Sequence, residues 1–233
     1  MSTSVAALVN RLRTEFLDDA IAAEEDDFAW PSAVLVSALN TAHKELAKRL
    51  LLIEDSTTPA ICQLTLAEAG GAFPRTLAFD SRVLRIERLK FPGIPRPLQQ
   101  VSQAFLDERD SGWDEKTGNP EAFFINPSAY TITFNREPVS GGTVYLTVKR
   151  KPLADFTTAG LTKANPETIE LPGLEDELCH GALKYAYLRD DKKTFDATRA
   201  KVWAAQFEEG IRQIIRQQAA MSAEAPIMRS DWW

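Results

Sequence analysis

The side chains here best suited to chemistry are two histidines, two cysteines and two short acidic runs. Cys179 and His180 are neighbours, but consecutive residues on a helix project about 100° apart. They therefore read as two separate side chains and not as a hydrogen-bonded thiol–imidazole dyad. His43 falls inside a helical pattern, where an imidazole usually packs or faces water. Two histidines cannot supply the usual zinc ligand spacings. Glu24-Glu25-Asp26-Asp27 places four mutually repelling carboxylates together. With no histidine or second acidic cluster near in sequence, that run reads as a solvated loop rather than a cation site. Asp190-Asp191 closes a helical stretch and reads as a cap for the next helix. No G-x-S-x-G elbow and no glycine-rich phosphate loop between strand and helix is present. The sequence thus assigns no catalytic residue, no cofactor-binding residue, no metal ligand and no cofactor, and enzymatic turnover is not expected.

The formal net charge is −6, which gives no basic footprint for gripping a phosphate backbone. Five tryptophans and twelve phenylalanines in 233 residues argue against disorder. Cys62 sits in a strand-like pattern and Cys179 on a helical one, so two buried thiols in a reducing compartment are expected rather than a disulfide. No secretory signal is read at the start. No apolar run approaches the roughly 20 residues that span a bilayer. A soluble protein that assembles in the cytoplasm is expected, with no membrane partner.

These side chains must be held by elements, and the period of the apolar residues predicts which. Ser4 can cap a first helix whose stripe is Val5, Leu8, Val9, Leu12 and Phe16. Trp30-Pro31-Ser32 opens a second, with Leu35, Leu39, Ala42, Leu46, Leu50 and Ile53 repeating over five turns, and Asp55 to Pro59 ending it. From Ala60 to Lys151 the period changes to two. Cys62, Leu64 and Leu66 alternate, Gly70-Gly71 breaks the run, and a strand is expected near Val83 to Phe91. Ser102 can cap a short helix through Phe105 and Leu106. Tyr130, Ile132 and Phe134, then Val144, Leu146 and Val148, alternate around Pro138 and Gly141-Gly142, which predicts a hairpin. A polar, proline-containing stretch returns the chain. Leu174, Leu178, Ala182, Tyr185 and Leu188 then mark one helix face. Ala200, Trp203, Ala204, Phe207, Ile211, Ile214 and Ile215 mark another, with Thr194 as its cap and Glu208–Arg212 as an i,i+4 pair.

The expected fold class is α+β. N- and C-terminal helices form a helical bundle, an antiparallel β domain is inserted, and an extended C-terminal arm follows. The boundaries are 1–58 for the first helices, 59–151 for the β-rich domain and 152–173 for an extended return linker. The last helices take 174–220 and the arm 221–233. The arm has a proline, no period, and ends in Asp231-Trp232-Trp233. Exposed indoles are costly in water, so Ile227, Met228, Trp232 and Trp233 are expected to anchor it on a partner.

Several strings together resemble a known family. They are Arg82-Val83 with Ile86-Glu87-Arg88-Leu89, Pro97-Leu98 with Val101-Ser102, and Gly118-Asn119-Pro120 with Phe123. Pro152-Leu153-Ala154-Asp155 and the run His180 to Leu188 complete the set. The combination resembles head-to-tail adaptor proteins of tailed bacteriophages, akin to the podophage tail tubular A type, and it covers most of the chain. The resemblance implies a structural virion protein without an active site, made in the host cytoplasm. It implies a homo-oligomeric ring, typically dodecameric, that binds the portal protein and a tail tube or nozzle protein. DNA would pass the channel without specific binding, which the acidic balance suits. The arm, through Ile227, Met228, Trp232 and Trp233, would be the portal-docking segment. Two other readings stay open: a tail-completion or neck ring below the adaptor, and a surface module whose β region binds a ligand.

Overall fold

A computed structural model describes residues 3–17, 30–110, 112–162, 167–189 and 194–223. The chain divides into two compact units. One combines Met1–Leu50 with Pro152–Trp233, and the other is Leu51–Lys151. The fold is α+β.

In the first unit, Ser4 caps α1 (Val5–Arg11) by accepting the Ala7 N–H, as its sequence position predicts. The helix widens into a π-helical turn, Leu12–Leu17. α2 (Ser32–Leu50) buries Leu35, Leu39, Ala42 and Leu46 on one face. It runs the five turns read from the sequence but ends at Leu50, before Ile53, the last residue of the predicted repeat. Leu51 takes a positive φ of 51°, a conformation that ends a helix, and Ile53 is buried outside it. The return segment is pinned: the Asn40 amide donates to Phe156 O at 2.9 Å and accepts the Phe156 N–H at 2.7 Å. α5 (Glu175–Tyr187) and α6 (Ala197–Ala223) complete the unit. Three carboxylates, Glu175, Asp176 and Glu177, occupy the first turn of α5, where the helix dipole favours them. Gly181 sits where a side chain does not fit: a Cβ there would lie 2.7 Å from Ala42 Cβ and 2.8 Å from the Phe207 ring. The glycine therefore lets α5 approach both α2 and α6.

Three expectations about α6 are corrected. Met221–Ala223, read as the start of the arm, are helical. The cap of α6 is Asp196, whose carboxylate accepts the Thr198 and Arg199 N–H groups at 2.9 and 3.0 Å. Thr194 lies ahead of the helix and is buried. Arg212 pairs with Glu209, not Glu208, at 2.8 Å, because Glu208 is taken by Arg49 of α2 at 2.6 Å.

Among its described residues the second unit holds eight strands in two four-stranded sheets. β8 (Gly142–Arg150) is the spine of the first sheet. β4 (Val83–Lys90) runs along one of its edges, while β1 (Glu54–Asp55) and β2 (Gln63–Leu66) share the other, all antiparallel. The second sheet orders β3 (Thr76–Ala78), β7 (Thr131–Phe134), β6 (Ala122–Asn126) and β5 (Gln99–Gln100). Its β5–β6 pair is parallel, so the unit is not wholly antiparallel. Val144, Leu146 and Val148 of one sheet and Phe123, Ile132 and Phe134 of the other fill one core, as period-2 alternation requires.

The hairpin expected between Tyr130–Phe134 and Val144–Val148 does not form, since β7 and β8 belong to different sheets. Gly141 is needed for packing instead. A Cβ there would meet Phe73 at 2.5 Å and Leu66 O at 2.6 Å. Cys62 ends a short helix, α3 (Pro59–Cys62), rather than lying in a strand. Ser102 caps α4 (Gln103–Arg109) as expected, accepting the Phe105 N–H at 3.1 Å.

Candidate assembly surfaces

The side chains with the most chemical potential are spent on packing. His43 stacks on Phe156 with ring centroids 4.9 Å apart. His180 stacks on Trp203 at 5.5 Å and meets the Phe16 edge at 6.1 Å; burial lowers its pKa. Both cysteines are buried and free of a disulfide. Burial pushes the Cys62 thiol up to about 11 and the Cys179 thiol up to about 12, so neither carries thiolate near neutrality. Among the described residues no group of three or more His, Cys, Asp or Glu could hold a metal ion. No helix among them is long and apolar enough to cross a membrane. The Glu24–Asp27 run and Asp190-Asp191 lie outside the described residues.

A charged staple ties three helices of the first unit together. Glu45 of α2 accepts the Tyr185 hydroxyl at 2.5 Å and Lys184 Nζ at 3.1 Å, both from α5. Burial alone would raise the Glu45 pKa, but the Tyr185 and Lys184 hydrogen bonds outweigh it and lower it. Burial and the same bond push Tyr185 up to about 12. Arg49 grips Glu208 of α6 through two parallel bonds of 2.6 and 2.7 Å. Lys184 also lies 5.0 Å from the Phe207 ring centroid, a cation–π contact on the same seam.

Beyond that seam the packing runs out before α6 does. At 100° per residue Ala200, Phe207, Ile211, Ile214, Ile215, Gln218 and Met221 share about 120° of the helix surface. The upstream members Ala200, Phe207 and Ile211 are buried. Downstream, no residue from Arg212 to Met221 is buried; Ile215 is 47% and Met221 67% exposed. Gln218 reaches Leu50 O at 3.5 Å. The core-facing stripe thus continues for about three turns past its own core. In sequence it precedes Ile227, Met228, Trp232 and Trp233, the arm residues singled out above, which lie outside the described residues.

Two further surfaces are concave. A groove between α2 and α5 consists of two adjoining clefts of about 470 and 350 Å³ that share Thr41 and Tyr185. On the second unit, Phe79 and the exposed Tyr130 meet edge to face at 6.0 Å beside a cleft of about 250 Å³ that Leu84 and Ile125 also line. Tyr130 holds a positive φ of 51°, which for an aromatic residue is strained backbone. The sequence pattern placed Tyr130 on an inward face and gave no sign of this.

The arrangement offers helix faces, grooves and ion pairs, the materials of protein–protein contact. A family model, SU10 adaptor protein, matches residues 3–230. The chain belongs to the SU10 adaptor protein family. No curated protein matches the chain. Membership in the SU10 adaptor family supports a structural role as a phage adaptor. It agrees, at that level, with the likeness carried by the sequence strings.

Proposed function

We propose that this SU10-family adaptor forms a homo-oligomeric ring at the head-to-tail junction of a phage, dodecameric like the adaptors it resembles. The ring binds the portal protein on one side and a tail tube or nozzle protein on the other, and frames part of the DNA channel. The observation that carries this reading is the family match over residues 3–230. The finer likeness to the tail tubular A type rests on the sequence strings alone. The acidic balance, net −6, favours free passage of DNA, since carboxylates offer phosphates no partner. In this reading the protein works by fit and not by turnover.

The portal contact falls to the C-terminal arm. Ile227, Met228, Trp232 and Trp233 supply apolar anchors after α6, whose stripe already runs exposed past its own core. Few buried anchors suffice to carry such a contact. The Phe79–Tyr130 cleft, on the β unit, suits a contact with the next tail component. The test is co-sedimentation with purified portal rings, full-length against a chain lacking Ala225–Trp233. The full chain should sediment with portal, and the truncated chain should stay folded and remain in the supernatant. Equal binding by both would refute the arm as the portal contact. Failure of both to bind would refute the adaptor position.

A further inference from the structure

The exposed stripe on α6 and the α2–α5 groove are two unmatched surfaces on one unit, and their shapes are complementary. The stripe presents large apolar side chains, Ile215 and Met221, on a convex helix. One half of the groove presents small ones: Ala33, Ser37 and Thr41 line it and are exposed, with Ala186 on the α5 wall. Small residues let a second helix approach closely. Tyr185 and the long polar stems of Lys44, Glu45 and Lys48 line the other half. The lengths also match. From Ala33 to Lys48 the groove follows about 22 Å of α2, and Arg212–Ala223 spans about 18 Å at 1.5 Å per residue.

The groove is cationic, with Lys44, Lys48, Arg49 and Arg189 against Glu45, so what it favours on α6 is the helix end and not its side-chain charges. Lys48 edges the groove at one end and Arg189 at the other. A helix C-terminus carries the negative end of its dipole, so the end of α6 is attracted to either cation. At 100° per residue Arg216 projects about 160° from Gln218 and faces away from the groove, while Arg212, about 120° from it, flanks the stripe and pairs with Glu209.

We infer that the last three turns of α6 from one copy lie in the α2–α5 groove of the next copy. The two patches are different, so the contact is heterologous, and repetition of it closes a ring or extends a filament. For its biological setting the inference rests on the ring reading above, and it adds which surfaces meet. It also accounts for the length of α6. A helical segment of about three turns is marginal without tertiary support, and here a second copy supplies that support.

The test uses two full-length single-cysteine additions at exposed positions, Ser37→Cys in the groove and Met221→Cys on the stripe. The native thiols are buried and stay silent. The two proteins are mixed and treated with a short bismaleimide, alone at high protein concentration and again with purified portal. The mixture should give about tenfold more cross-linked dimer than either variant alone. A mixture no better than the single variants in both conditions overturns the inference. So does a Met221→Cys homodimer that matches the mixture, because that would place two stripes against each other. As a control for mere crowding, Ser37→Trp fills the groove and should abolish the cross-link from Met221→Cys protein to a Thr41→Cys partner that also carries it. An unchanged yield overturns the inference. Portal co-sedimentation of the same variants separates the two readings. Portal binding without the cross-link removes only this contact, and the cross-link without portal binding removes only the adaptor position.

Discussion

Arg150 Nε donates to Asp55 Oδ2 at 2.6 Å, and both side chains are buried. Asp55 also accepts the Thr58 hydroxyl at 2.6 Å and the Thr57 and Thr58 N–H groups at 2.9 and 3.0 Å. One carboxylate thus ties β8 to the turn that leads into α3. Removing one partner leaves a buried charge uncompensated, so Arg150→Ala should cost about 3–5 kcal/mol. Urea denaturation of the variant against the parent checks this.

The same carboxylate sets a pH response. Burial alone would raise the Asp55 pKa. The Thr58, Thr57 and Arg150 hydrogen bonds more than reverse that and hold it well below the usual carboxylate range. A folded-state pKa below the unfolded one contributes stability that is fully present above about pH 4 and is lost as pH falls toward the folded value. Acid unfolding followed by circular dichroism should therefore steepen below pH ~4. Asp55→Asn should flatten that limb while lowering stability at neutral pH.

Gly181→Ala tests the close approach of α5. Alanine favours a helix over glycine by about 1 kcal/mol, but the new methyl would press on Ala42 Cβ at 2.7 Å and the Phe207 ring at 2.8 Å. Overpacking of this kind costs about 1–3 kcal/mol, and Ala42 is held by its own helix backbone. Net destabilisation is expected, read as a lower melting temperature. A higher one would show that α5 shifts freely.

Phe207→Ala and Met221→Ala separate the two ends of one stripe. Phe207 is fully buried, and truncating it should cost about 3–5 kcal/mol. Met221 is 67% exposed, and its truncation should change protomer stability by less than about 0.5 kcal/mol. Parallel denaturation curves of dilute protein give both values.

The thiols provide a chemical readout of the core. With Cys62 pushed up to about 11 and Cys179 up to about 12, native protein at pH 8 should resist maleimide. Two labels should be taken up only after unfolding, as counted by mass spectrometry. Rapid labelling of folded protein would mean that these helices open readily.

Local rules made much of this fold legible. Ser4 and Ser102 were readable as caps because a cap needs only its own turn. Val144, Leu146 and Val148 were readable as core because alternation fixes a face. Long-range choices were not. Two alternating runs around Gly141-Gly142 look like a hairpin, yet β7 and β8 lie in separate sheets, and nothing local to the glycines specifies the partner strand. Glu208 was within reach of Arg212, but the packing of α2 offered it Arg49. The end of α2 at Leu50 depends on the backbone of Leu51, which an apolar residue does not announce. Of the candidate surfaces, the arm is an expectation drawn from its two indoles, and it lies outside the described residues. The groove was not legible, since Ala33, Ser37 and Thr41 acquire meaning only beside α5.

The two ends of Leu51–Lys151 leave that unit as neighbours. Glu54 lies opposite Lys149, and the Arg150 N–H donates to Ile53 O at 3.0 Å. A block whose entry and exit are adjacent strands behaves as a cassette. Recombination could replace it with another of its kind, and an engineer could graft it into any host loop that presents two nearby chain ends, without rethreading either piece.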